Sequence, residues 1–129
     1  RWMFQDSGLG LVIGKFFATS SMPLVAVAFI IALAVRISVG SATVAMTMAG
    51  GLIAAMPEVA ALSPIAKTAL VIAIASGSTA ASHFNDSGFW LFKSYLNIDE
   101  KTNLKSWTML ETLVGLTGFV GACVISLLG

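Results

Sequence analysis

The sequence predicts an all-α membrane protein made of a re-entrant helical hairpin, a discontinuous transmembrane helix and a final spanning helix. Three observations lead there. Of the 129 residues, 57% are hydrophobic and only 10% charged, whereas a soluble domain carries about 25% charged residues. The apolar runs are mostly short, and two polar, glycine-containing stretches interrupt them, residues 36–43 (RISVGSAT) and 76–88 (SGSTAASHFNDSG). One run, residues 106–128, is long enough to cross a bilayer unaided, which takes roughly 20 residues.

Taken in order, residues 7–19 are mildly amphipathic, with Gly10 and Gly14 spaced for close helix packing and Lys15 placed to snorkel. The chain opens at Arg1 in what reads as helical sequence, without initiator methionine or signal-peptide layout, so a piece of a longer membrane protein is expected. Residues 22–35 are almost wholly apolar, with Pro23 suited to a first helical turn. Residues 42–56 are apolar again and end before Pro57. Both runs are too short to span, and the polar turn between them fits a hairpin (about 20–57) whose arms enter and leave on one face. Residues 57–64 read as a loop holding Glu58. Residues 65–75, the second polar stretch and residues 89–96 then follow the helix–break–helix pattern of a discontinuous transmembrane helix (64–96). Residues 97–105 are the most charged and must be wet. The last helix (105–129) carries Gly115, Gly118 and Gly121 for packing and Cys123 as a small apolar filler. Lys93, Lys101 and Lys105 place the 97–105 loop on the cytoplasmic side, with Glu58 and the C-terminus outside. Trp2, Trp90 and Trp107 suit interfacial anchoring or packing, and Glu111 a solvated or paired position.

Polar, non-helical backbone survives at membrane depth only where it is buried in protein or lines a cavity. The two breaks are therefore expected to meet and enclose a pocket. Arg36 would bind a carboxylate there through its planar fork. Ser38, Gly40, Ser41, Thr43, Ser78, Thr79, Ser82 and Asn85 would contact a hydroxylated substrate through side chains and exposed backbone. His83 and Asp86 are the groups able to exchange a proton. Blander roles stand beside these. Arg36 could end a helix at an interface, Asp86 could cap the next helix, His83 could bond a nearby carbonyl, and Ser41 and Thr43 could bond back to their own helix.

GSATVA (residues 40–45), with Arg36 four residues ahead, and SHFNDSGFW (residues 82–90) resemble motifs of the gluconate permease (GntP) family of secondary transporters. The resemblance covers nearly the whole chain, as the C-terminal portion of such a permease. It implies proton symport of gluconate or a related sugar acid across the cell (inner) membrane by a multi-pass protein. It also implies one half of an inverted-repeat fold like that of a larger ion-transporter superfamily. The partners would be the carboxylate, protons, lipid, the N-terminal half of the permease and, by superfamily analogy, a second copy. D-serine or another small carboxylate, with sodium as coupling ion, is the alternative, and a channel or structural membrane subunit comes after it.

No cofactor, metal set or nucleic-acid partner is expected. The formal net charge is +1, and no basic cluster interleaves with aromatics. The chain contains no HExxH, GxSxG or P-loop, and one histidine three residues before an aspartate is not a triad, so no enzyme is expected. Asn85-Asp86-Ser87 matches a glycosylation acceptor, but a buried break is inaccessible to that chemistry.

Overall fold

The computed structural model describes residues 22–128. The expectations for residues 7–19 and for Trp2 lie outside them. Every regular element among the described residues is helical: α1 (Leu24–Val39), α2 (Ala42–Ala54), a single turn α3 (Pro57–Ala60), α4 (Pro64–Thr79), α5 (Ser87–Leu96) and α6 (Glu100–Ser126). At 1.5 Å per residue, α1 and α2 are about 24 and 20 Å long, short of a bilayer core of about 30 Å. The 27 residues of α6 reach about 40 Å and are long and apolar enough to cross a membrane.

Local chemistry explains the element ends. Gly40 takes φ 79°, and its N–H returns to the Arg36 carbonyl at 2.9 Å, closing α1 in the left-handed cap that glycine favours. Ser41 accepts from the Val44 N–H and starts α2 at once. The first break is thus a two-residue turn, tighter than residues 36–43, because Arg36 and Ser38 stay inside α1. Ser63 caps α4 ahead of Pro64, and Asp86 caps α5 through the Gly88 N–H at 3.0 Å. The second break is narrower than expected too. Ser76, Ser78 and Thr79 remain helical, and their hydroxyls find acceptors within the helix, at the Ile72 and Ala75 carbonyls. Residues 97–105 are not all loop either. Asp99 takes the extended conformation of an N-cap, Glu100 supplies an acid to the first turn, and the helix runs on from there. A Lys93–Glu100 ion pair of 2.9 Å ties α5 to that first turn.

α4 is the centre of the bundle, packed on one side against α1 and on the other against α6, while α2 lies against both α1 and α4. Small residues permit this. Ala69, Ala73 and Gly77 recur every four positions along α4, and the two alanines are fully buried. A methyl group at Gly77 would strike the Phe29 carbonyl, so α1 and α4 touch at the backbone. Gly115 and Gly118 of α6 sit against Ala80 and Ser76, whereas Gly121 meets nothing within 4 Å, so only two of the three glycines pack. The core is filled by Val27, Phe29, Ile31, Leu52, Ile53, Leu70 and Ile74, and Phe29 stacks on Phe119 at 4.4 Å. Leu113, Val120 and Val124 leave the outer side of α6 apolar and exposed.

Candidate functional site

The two breaks meet. Gly40 lies directly against the Asn85 backbone, so that any Cβ there would be driven into the Asn85 carbonyl. Asn85 Nδ2 donates to the Ile37 carbonyl at 2.7 Å, an acceptor that the end of α1 leaves unpaired. Arg36, only 3% exposed, points from the last turn of α1 into this junction. Its Nη2 pairs with Asp86 Oδ2 at 2.6 Å and its Nη1 donates to the Gly40 carbonyl. The same Asp86 oxygen accepts from the Ser82 hydroxyl, and Asp86 Oδ1 accepts from Gly88. Asp86 therefore caps α5 and neutralises Arg36 together. The guanidinium expected to receive a substrate carboxylate thus already holds one from the protein itself. Its Nε–H is buried without an acceptor among the described residues.

α6 completes the network. Trp107 Nε1 donates to Ser82 Oγ at 2.7 Å and Thr108 Oγ1 to the Ser82 carbonyl at 2.5 Å. Thr112 accepts from the Ala81 N–H at 3.2 Å, where Ala81 stands at φ 57°. Both Trp107 and Thr108 lie in a π-helical turn, Leu104–Thr108, and such turns interrupt α-helices frequently at functional sites. Glu111, half-buried on the same stretch of α6, lies within electrostatic reach of Arg36 and Asp86 and makes no ion pair among the described residues. The junction thus holds a chain of donors ending on one shared carboxylate.

A family model described as GntP family permease matches residues 1–128. The chain belongs to the GntP permease family. It is 43% identical over 129 residues to the low-affinity gluconate transporter of Escherichia coli K12, covering 99% of this chain and 29% of that protein. It is 40% identical over 127 residues to the high-affinity gluconate transporter of the same organism, covering 98% and 28%. Identity to the inner membrane permease YgbN, also from that organism, is 43% over 115 residues, covering 89% and 25%. The chain therefore spans between a quarter and a third of these relatives' length. No solved structure matches it. The family is one of permeases, not enzymes.

Within this GntP chain the residues singled out from the sequence divide into two groups. Arg36, Gly40, Ser82, Asn85 and Asp86 come together at the junction, with Ser41 beside them as the cap of α2. Ser38 bonds back to Ala34, and Ser78 and Thr79 to Ala75, so their hydroxyls are spent on their own helices. Thr43 is exposed on the first turn of α2. His83 is half-buried in the second break, with Nδ1 2.9 Å from the Ala81 carbonyl. Trp107 and Thr108 were missed as site residues. The one signal that could have found them is a polar Ser-Trp-Thr run at the start of an otherwise apolar helix.

Proposed function

We propose that this chain forms part of the substrate site of a secondary transporter for gluconate or a related small sugar acid, coupled to protons. The observation that carries this is the buried Arg36 guanidinium at the meeting point of two helix breaks, already holding one carboxylate. Two of the relatives are named gluconate transporters. Arg36 would receive the substrate carboxylate, Asn85, Ser41 and Ser82 its hydroxyls, and Asp86, with His83 beside it, the coupling proton. Ser38, Ser78 and Thr79 would contribute only after their helix ends loosen, and Thr43 from its exposed place on the first turn of α2. In labelled-gluconate uptake by vesicles holding the full-length permease, Arg36→Ala should abolish uptake and Asp86→Asn should abolish accumulation. Wild-type uptake by both, at normal expression, would remove the assignment. Collapsing the pH gradient should prevent accumulation while sodium removal should not. The opposite outcome would favour the sodium-coupled alternative, and failure to carry any sugar acid would favour D-serine.

α1 and α2 would form a re-entrant hairpin, α4 and α5 one broken spanning helix, and α6 a spanning helix in the cell (inner) membrane. The remainder of a permease of the relatives' length would supply the inverted-repeat counterpart and the rest of the site, and a second copy would complete a dimer. The short lengths of α1 and α2 support the hairpin. Cysteines introduced at Glu58 and Lys101 should react with an impermeant thiol reagent from opposite sides, Lys101→Cys from the cytoplasm. Labelling of both from one side would discard this topology.

A further inference from the structure

We propose that Asp86 is an internal stand-in for the substrate carboxylate, and that the two exchange on Arg36 as Asp86 takes up one proton. The inference rests on the sugar-acid reading above and gives that site its coupling step.

Its first support is the incomplete ion pair. A guanidinium takes a carboxylate best through two parallel bonds along one edge. Nη2 and Nε share such an edge, yet Asp86 occupies only Nη2, at 2.6 Å, and the buried Nε–H has no acceptor among the described residues. The reason is a tether. Asp86 Oδ1 is held by the Gly88 N–H at 3.0 Å as the cap of α5, so it cannot swing across to Nε. An untethered carboxylate can span both donors, satisfying the orphan as well. Arg36 is therefore built to prefer a second carboxylate over the one it holds.

Its second support is the fate of Asp86 once displaced. It would keep the Ser82 hydroxyl and the Gly88 N–H but lose its countercharge, while remaining 8% exposed and facing a new anion. Two carboxylates beside one cation in a poorly solvated site cannot both stay ionised. The one without the guanidinium takes a proton from water. The exchange conserves charge: one anion and one proton enter together, and on release the proton returns to water as Asp86 reclaims Arg36. Trp107 holds the Ser82 oxygen through its indole N–H at 2.7 Å, keeping the hydroxyl aimed at Asp86. The other titratable groups at Asp86 are His83 in the same break and Glu111 on α6. Lys67 of α4 bonds the Ala60 carbonyl, Lys93 of α5 pairs with Glu100, and α2 carries no charge.

The test is gluconate binding to the purified full-length permease by calorimetry, from about pH 5.5 to about pH 8.5. Binding that takes up one proton should weaken about tenfold per pH unit once free Asp86 is ionised. Two buffers of different ionisation enthalpy should report close to one proton taken up per gluconate by the wild type. Asp86→Asn, which keeps a capping side chain, should bind gluconate with a flat pH profile and no proton uptake. Glu111→Gln should keep the wild-type slope. Proton-free binding by the wild type overturns the inference, as does an undiminished slope in Asp86→Asn or a flat profile in Glu111→Gln. All three leave the sugar-acid reading standing. If the wild type binds no gluconate at any pH, that reading fails and this one falls with it.

Discussion

Replacing Gly40 by alanine should separate the two breaks and cost the permease both stability and transport. The position holds φ 79°, where a Cβ adds roughly 1–2 kcal/mol of strain. The added methyl would also collide with the Asn85 carbonyl carbon and oxygen, which are backbone and cannot rotate away. Forcing extra volume into a packed contact costs typically about 1–3 kcal/mol, so a combined loss of about 2–5 kcal/mol is expected. The damage falls on the contact that carries Asn85 to the Ile37 carbonyl and places Asp86 within reach of Arg36. Gly50→Ala is the matched control. Gly50 is helical with nothing within 4 Å of a new Cβ, so alanine there should be neutral or stabilise by up to about 1 kcal/mol. Thermal unfolding of the purified variants, run beside uptake, decides the matter. A Gly40→Ala protein that melts and transports like the wild type would refute the close approach.

Removing Arg36 alone should be far more damaging than removing it together with the Asp86 charge. Arg36→Ala leaves the Asp86 carboxylate, with a side chain 10% exposed, held only by Ser82 and Gly88. Stranding one member of a buried ion pair costs about 3–5 kcal/mol. In Arg36→Met/Asp86→Asn the charge disappears with its partner, the methionine fills the stem's volume, and the asparagine can still cap α5. Most of the lost stability should return, while uptake should stay at zero if Arg36 has the proposed role of receiving the substrate carboxylate. The double-mutant cycle on melting behaviour measures this coupling. If single and double variants are equally destabilised, the pair is not what holds the junction, and Arg36 matters through packing alone.

Much of the helical layout was legible because it is written locally. Pro64 after Ser63, Gly40 after Val39 and Asp86 before Ser87 are start and stop signals read within three or four residues. Where local cues competed, the boundaries moved. Ser76, Ser78 and Thr79 look like loop residues by type, yet the helix runs through them, since its own carbonyls satisfy their hydroxyls in an apolar setting. Asp99 and Glu100 look like exposed loop charges, yet they begin the longest helix among the described residues.

Composition alone assigned the chain to the membrane class, and the two polar interruptions marked where backbone polar groups must find partners inside protein. Side-chain type likewise singled out Arg36, Ser82, Asn85 and Asp86. Which partner each would take was decided only in three dimensions. Arg36 and Asp86 lie fifty positions apart, and Trp107 reaches Ser82 across twenty-five. Propensity and capping act over a turn or two of chain, so they carry no information about such pairs. The pairing depends on how closely α1, α4 and α6 approach, and that is governed by small residues at Gly77, Gly115 and Gly118, whose meaning emerges only against the helix each one faces.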